Sequence, residues 1–319
     1  EQDAHLLVID QPAELALESR AESLQQMLRV HVPSPQGDPA ALLKEAQAGL
    51  QWQTSQGARE ALHLLMQAVL IGSSAEAIAS LAEAAAVLSV TEPQWRALSN
   101  LALLVAIDQG ATPAELAPAR MAMALTLGDT ELTLQESKHC EAPIRCKLMV
   151  AEARRELELL EPIAASAPEG SGIGLTQLRI LIAQRDWLAV HELSATLQES
   201  LPREALPYFA AAQASLFLGN TDEFDRAIER GLVLAPDWLK LRHLHARQRL
   251  LQGNGVSASD ILRSITEDPN FSRYPERGSV WREQVVAAQM NNDFELEEEA
   301  AHQACQTDAQ DPLGWMQKA

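Results

Sequence analysis

Aromatic residues make up only 4% of this 319-residue chain, and Tyr occurs just twice. Strands favour aromatic and β-branched side chains, whereas the Ala and Leu that are abundant here favour helices. The scarcity of aromatic residues therefore argues against a sheet-rich fold and predicts a chain that is nearly all helix. The hydrophobic content of 47% is normal for a folded protein and excludes disorder throughout.

Basic residues are also scarce, because Lys and Arg together number 25 against 44 acidic residues, which gives a net charge of -19. A field of this sign repels phosphate groups, so nucleic acid and anionic membrane surfaces are poor partners. Long apolar runs are missing too, and Glu76 and Glu83 interrupt the most hydrophobic region, residues 68–90. The sequence therefore contains no segment suited to crossing a bilayer.

Cysteine occurs three times, with Cys140 and Cys146 on either side of Pro143 and Cys305 far away. Two interpretations stay open. The first pair forms a small disulfide loop in an oxidising compartment and leaves Cys305 as a buried thiol, or both are reduced, partly buried thiols. The start at Glu1 without Met or a signal sequence is expected of a processed or truncated product. The preference for Arg over Lys and the heavy use of Ala suggest a bacterial source, and we favour the periplasm or a membrane-associated soluble domain over the cytoplasm.

Two stretches rich in helix-breaking residues, 32–38 and 167–172, divide the chain. We predict a lead-in helix with a linker over 1–38, degenerate helical hairpins over 39–170, and clearer repeats with a C-terminal cap over 171–319. The apolar run 6–9 belongs to the lead-in, where Pro12 opens a helix, and the tail 311–319 is expected to add a capping turn.

Within the middle part, the sequence marks several helix boundaries. Thr112 and Glu115 form a capping-box pattern that begins a helix ending at Gly128. The pair Gln56 and Gly57 is expected to form the turn between the first two helices. A long helix is predicted over residues 145–165, with Pro162 as the residue that kinks or ends it.

The strongest pattern lies after residue 174, where residues typical of turns and helix ends recur every 34 residues. The turn pairs are Arg185-Asp186, Gly219-Asn220 and Gly253-Asn254, and the hairpins close at Pro202, Pro236 and, one residue early, Pro269. A fixed period of this kind is the signature of a helical-repeat array. It predicts the helix pairs 175–184 with 187–200, 206–218 with 222–234, 238–252 with 258–267, and 280–290 with 294–306.

Small and large residues at fixed positions of these pairs carry a resemblance to a known family. They are Tyr208, Ala211, Ala212, Gly219, Gly231 and Pro236, then Ala246, Gly253, Pro269, Trp281 and Ala304, with Trp187 and Pro202 in the first pair. Residues 171–306 resemble tetratricopeptide repeats, although Arg185 stands where that family usually has Gly. The resemblance implies an all-α solenoid of antiparallel helical hairpins whose first helices line a concave groove.

Lys240, His243 and Arg247 are spaced i, i+3 and i+7, so they share one helix face. The resemblance implies that this face lines the groove together with Arg179, Phe209, Gln213, Phe217 and Arg282, with Met290 nearby. A basic, partly aromatic groove suits an acidic segment or a free C-terminal carboxylate of a protein or peptide partner. The alternative is that the charged residues only aid solubility and that Phe209 and Phe217 pack between hairpins.

No pattern in the sequence predicts catalysis. Residues 170–174 are Gly-rich but follow a helix rather than a strand, which is wrong for a phosphate loop. Glu136 with His139, and Glu299 with His302, each share a helix face, yet a solenoid keeps the two pairs apart. We therefore predict no cofactor, no metal site and no enzymatic activity. The leading hypothesis is a protein-binding adaptor, with a homo-oligomerising module or the regulatory part of a larger enzyme as alternatives.

Overall fold

The computed structural model describes residues 17–72, 74–140, 143–165, 167 and 172–309. Within these residues the chain forms seventeen α-helices, joined by turns and short 3₁₀ segments, and it contains no strand. The predicted all-α helical-repeat fold is confirmed. The apolar run 6–9, the helix start at Pro12 and the capping turn at 311–319 lie outside the described residues.

The described residues divide into two compact units. The first comprises residues 17–89 and 94–154, and the second comprises 90–93 and 155–309. The division at residues 38 and 170 stays a prediction. None of the helices in the described part of the chain is both long and apolar enough to cross a membrane.

Among the described residues, eight helices belong to the first unit and nine to the second. In the first unit they are α1 Leu17–His31, α2 Pro39–Leu50, α3 Ser55–Gly72, α4 Ala75–Leu88, α5 Trp95–Asp108, α6 Pro113–Leu127, α7 Thr130–Glu136 and α8 Pro143–Arg154. In the second they are α9 Glu161–Ala164, α10 Ile173–Gln184, α11 Trp187–Ser200, α12 Ala205–Leu218, α13 Thr221–Leu234, α14 Leu239–Leu251, α15 Gly255–Thr266, α16 Arg277–Asn291 and α17 Phe294–Ala309.

Helix α4 lies at the centre of the first unit because most of its side chains are small and apolar. Ala82, Ala84 and Ala85 are completely buried, and the helix contacts α3, α5 and α6. A helix that is apolar on all sides is stable only where other helices surround it. Its one buried carboxylate, Glu83, lies 3.4 Å from a guanidinium nitrogen of Arg145 on α8.

The helix boundaries of the first unit confirm one prediction and correct another. The Thr112–Glu115 capping box is present, and α6 ends at Gly128 in the left-handed conformation. The predicted turn at Gln56 and Gly57, in contrast, is wrong, because both residues lie inside α3. Gly57 is small for a different reason, since an added Cβ would collide with the backbone oxygen of Gly49 where α2 and α3 cross.

The long helix expected over 145–165 is also interrupted. Helix α8 ends at Arg154, Arg155 takes a positive φ of 59°, and a 3₁₀ turn over Leu157–Leu160 precedes α9. Pro162 lies in the first turn of α9, where a missing N–H is tolerated, so it begins a helix rather than ending one. The break lets Leu157 pack against the apolar core of the first hairpin of the second unit.

Four antiparallel hairpins follow one another in the second unit: α10 with α11, α12 with α13, α14 with α15, and α16 with α17. Each second helix also contacts the first helix of the next hairpin. The predicted helix pairs of the 34-residue period are therefore present, with boundaries shifted by up to three residues. Small residues lie at the close approaches, as expected, since a Cβ on Gly231 would come within 2.8 Å of Leu241 Cδ2.

Each hairpin of the second unit turns in the same way. The first helix ends at a left-handed residue, which is Arg185, Gly219, Gly253 or Asn292, with φ of 60°, 78°, 74° and 57°. The next residue is Asp186, Asn220, Asn254 or Asp293, and its side-chain oxygen accepts a hydrogen bond from a backbone N–H in the first turn of the second helix. A left-handed helix end followed by an Asx cap provides hydrogen-bond partners for free backbone groups of both helices. This explains why the same types of turn residue recur with the repeat.

Candidate protein-binding face of the second unit

The first helices of the hairpins contact one another in order, α10 with α12, α12 with α14, and α14 with α16. Their predicted contact residues form what we call the first-helix face: Arg179, Phe209, Gln213, Phe217, Lys240, His243, Arg247 and Arg282. Lys240 and Arg282 are exposed, whereas Arg179, Gln213 and Arg247 are partly buried. The face therefore presents cationic groups at different depths rather than one open basic stripe.

His243 corrects the expectation of an exposed basic residue, because its side chain is only 2% exposed. Its Nδ1 lies 3.0 Å from the hydroxyl of Tyr274 and 3.5 Å from a carboxylate oxygen of Glu276. Its Nε2 lies 2.9 Å from Glu283 Oε2, an ion-pair distance at which the N–H is not aligned for a hydrogen bond. The imidazole is thus enclosed between two carboxylates.

Arg247 belongs to the same cluster. Its Nε donates to Glu283 Oε1 at 2.7 Å and one terminal nitrogen donates to the hydroxyl of Ser279 at 3.0 Å. The same terminal nitrogen is 3.7 Å from Glu276. Two carboxylates therefore offset the charges of Arg247 and a protonated His243. We call Tyr274, Glu276 and Glu283, with His243 and Arg247, the His243 cluster.

The protonation of the cluster follows from this geometry. Burial lowers the pKa of His243, but the two carboxylates together raise it by more, so the pKa lies above its ordinary value. The hydrogen bond with His243 holds the pKa of Glu276 below its usual value. Burial raises the pKa of Glu283, and His243 and Arg247 outweigh it, so that pKa is also lowered. The folded state thus favours an imidazolium between two ionised carboxylates.

Sequence reasoning missed Tyr274, Glu276 and Glu283, since no local spacing connects them to α14. Their partners lie 31 to 36 residues earlier in the chain, which is close to one repeat. The period itself was the available signal, because residues one repeat apart lie side by side in stacked hairpins.

The two predicted aromatic residues have different environments. Phe209 is 7% exposed and its ring lies 4.7 Å from that of Trp238, so it is a core residue, as the packing alternative held. Phe217 is 62% exposed and stacks on Trp187 with ring centroids 4.3 Å apart. The prediction that Phe209 lies on an open surface is therefore wrong, because its side chain on α12 packs between hairpins.

The cysteines lie in two settings. Cys140 and Cys146 are joined as a disulfide with their Cα atoms 6.4 Å apart, which ties the end of the α7 segment to α8. Cys305 is exposed, so the expectation of a buried thiol is wrong. Ala300 and Ala304 form the buried stripe of α17, and Cys305 lies one residue further round the helix, about 100° away.

The two carboxylate and histidine pairs considered for metal binding have other contacts. Glu136 is buried and forms an ion pair with Arg120 at 3.5 Å, while His302 contacts the side-chain amide of Gln306 at 2.8 Å. No group of three or more His, Cys, Asp or Glu in the described ranges is placed to hold a metal ion.

Comparison with known proteins gives little further information. No protein-family model matches the sequence, and no curated protein is significantly similar to it. Among solved structures, the chain is similar to the TPR2AB-domain:pHSP90-complex of yeast Sti1, with 14% sequence identity and a TM-score of 0.29 over 84% of this chain and 98% of that chain. The fold given above therefore rests on the helices and contacts of this chain itself: it is an all-α protein built of helical hairpins.

Proposed function

We propose that this chain is a non-enzymatic helical-repeat scaffold whose second unit binds a segment of another protein along the first-helix face. The observation that supports the proposal is the exposure of Lys240 and Arg282 on successive first helices of a strongly acidic chain. Cationic side chains kept at one surface of such a chain suit an acidic segment or a C-terminal carboxylate of the partner.

The interior of the face sets how such a partner binds. Arg247 is held by Glu283 through a short hydrogen bond, whereas Glu276 lies at 3.7 Å and its side chain is 43% exposed. A carboxylate of the partner that contacts Lys240 would compete with Glu276 for Arg247, not with Glu283. Binding is therefore expected to weaken with salt, since the groups that meet the partner are near the surface.

The proposal also includes the cellular compartment in which the protein acts. A disulfide such as Cys140–Cys146 is typical of proteins from an oxidising compartment, which supports a role in bacterial envelope assembly or secretion rather than in the cytosol.

The test is a crosslinking pull-down from the native host with three proteins: the intact chain, Lys240→Glu/Arg282→Glu, and Arg230→Glu/Arg263→Glu. The last variant is the matched control, because it makes the same charge change at exposed residues of the second helices α13 and α15. We expect a partner that the intact chain and the control recover and that the Lys240→Glu/Arg282→Glu variant loses. Arg247→Glu is unsuitable, since a third carboxylate in the His243 cluster would destabilise the fold.

Equal recovery by all three proteins would place the binding site away from the first-helix face. Recovery of nothing, together with concentration-dependent sedimentation of the purified chain, would instead favour a self-assembling helical-repeat module.

A further inference from the structure

A second surface of the second unit follows the turns between first and second helices. Two residues before the left-handed turn residue, three consecutive hairpins carry Phe217, Leu251 and Met290, which are 62%, 68% and 41% exposed. Burying side chains of this size is favourable by about 1.5–3 kcal/mol each, and folding of this unit leaves a large part of each of the three exposed. Their recurrence at one position of the repeat makes them a row rather than scattered surface residues.

The turns lie side by side along one edge of the unit. The Trp187 and Phe217 rings stack across the first and second turns, and Asp225 Oδ2 accepts a hydrogen bond from Gln252 Nε2 at 3.1 Å across the second and third. Gly255 approaches Met290 across the third and fourth. We call this surface the turn edge, and it also exposes Leu188, Val256 and Phe294.

The charge of the turn edge is negative. Carboxylates follow the second turn at Asp222, Glu223 and Asp225, and the fourth at Asp293, Glu295 and Glu297. The guanidinium groups close to the turns are fewer: Arg185, Arg249 and Arg226, whose Nε donates to the backbone oxygen of Asp222 at 3.2 Å. Most hydrogen-bond partners of these carboxylates are uncharged amides, although the His191 imidazole lies 2.8 Å from Glu223 Oε2. Asp225 accepts from the amides of Gln248 and Gln252, and Glu297 accepts from the amide of Gln289. Six carboxylates against three guanidinium groups leave the turn edge with a net negative charge.

The spacing of the row selects the shape of its partner. Packed helices lie about 8–10 Å apart, and the first helices that carry the row are in contact. Seven residues of an α-helix span about 10 Å, so apolar side chains at i, i+7 and i+14 of one helix meet three successive turns. From the apolar row, the negative rim and this spacing, we infer that the turn edge binds a basic amphipathic helix of a partner protein, with Leu or aromatic side chains at heptad spacing.

Apart from Phe217, this surface shares no residue with the first-helix face of the proposed function, and it prefers a partner of the opposite charge. Phe217, assigned from sequence to the groove, belongs by its exposure and position to the turn edge. The two sites can therefore be tested separately on the full-length chain.

The probe is a synthetic helical peptide with Leu at every seventh position and Lys or Arg between, compared with a peptide of the same composition and scrambled Leu positions. Fluorescence anisotropy measures binding of each at low and moderate salt. We expect the heptad peptide to bind about tenfold more tightly than the scrambled one. Phe217→Glu/Leu251→Glu should weaken its binding by about a hundredfold, because each of the two apolar side chains lost costs about tenfold or more. Leu251→Glu alone should act in the same direction, which guards against any effect of losing the Trp187 stack.

The matched control is Val233→Glu, which places the same charge on a side chain 71% exposed near the far end of α13, about 18 Å from the turn. It should bind as the intact chain does, and so should Lys240→Glu/Arg282→Glu, which separates this inference from the proposed function. Equal binding of both peptides, or equal loss in the Val233→Glu variant, would show only bulk attraction to an acidic protein and would overturn the inference. It would also be overturned if no peptide bound and Leu251→Glu abolished self-association in sedimentation, since the edge would then join two copies.

Discussion

Burial changes the role that the sequence predicted for His243. Its spacing from Lys240 and Arg247 suggested one exposed basic face, but only Lys240 is exposed, and His243 lies between Glu276 and Glu283. The helical spacing was correct and the three residues do lie on α14. The spacing within α14 could not reveal the two carboxylates, because Glu276 lies in the loop before α16 and Glu283 lies in α16 itself.

The first prediction concerns the pH dependence of stability. The folded-state pKa of His243 is raised, so its contribution is fully present below the unfolded value of about 6.5 and is lost as pH rises through the higher folded pKa. Glu276 and Glu283 have lowered pKa values, so their contribution is present above their unfolded values and is lost as pH falls through the folded ones. Urea unfolding across this range should show a loss of stability above neutral pH in the intact chain.

The comparison variant for this prediction is His243→Gln, which keeps a hydrogen-bonding side chain without an imidazole. Its stability should be lower overall and should lack the decline above neutral pH. An identical decline in both proteins would mean that another group titrates. The groups that face His243 are Tyr274, Glu276 and Glu283 from the next hairpin and Arg247 from its own helix.

The second prediction concerns Arg185. It is the non-Gly residue at a turn where the next two hairpins have Gly219 and Gly253, and its φ of 60° is unfavourable for a side chain. Arg185→Gly should raise the free energy of unfolding by about 0.5–1 kcal/mol, and Gly219→Ala should lower it by a similar amount. No atom lies within 4 Å of the Cβ that Gly219→Ala adds, so that loss is purely conformational. Denaturant unfolding of both variants measures the two effects, and a loss of stability in Arg185→Gly would contradict the argument.

At the scale of elements, helix boundaries were predictable where a local hydrogen-bond pattern decides them. The capping box at Thr112 and the Asx caps at Asn220 and Asn254 are satisfied within a few residues of sequence. The break after Arg154 was not predictable in this way, because no local hydrogen-bond pattern marks it. Leu157, which follows the break, packs against the core of the first hairpin of the second unit.

The third prediction concerns the short loop that the disulfide closes before α8. In the chain-entropy description, closing so short a loop stabilises the folded state by about 2 kcal/mol. Reduction of the intact chain, or the double variant Cys140→Ser/Cys146→Ser, should lower the stability by about that amount. Cys305→Ser is the control and should leave it unchanged, since that thiol is exposed. Mass spectrometry of the native protein under non-reducing conditions reports whether the bond is formed.

At the scale of the whole molecule, the net charge of -19 sets a uniform repulsion that no single contact removes. The fourth prediction is therefore that the melting temperature rises with sodium chloride up to physiological strength, where charges more than about 8 Å apart are screened. Potassium chloride should give the same rise, which separates screening from binding of a particular cation. A fall in melting temperature with salt would show that surface ion pairs outweigh the repulsion.

The sequence by itself determined the all-α class and the helical hairpins of the second unit with their turns, because helix formation and capping depend on neighbours within about four residues. Tertiary structure alone decided that Phe209 and His243 are buried, that Cys305 is exposed, and that Gly57 lies at a helix crossing. These outcomes depend on side chains that are distant in the sequence or on another helix. The 34-residue period indicates which hairpins are neighbours, but only packing decides which side of each helix they cover.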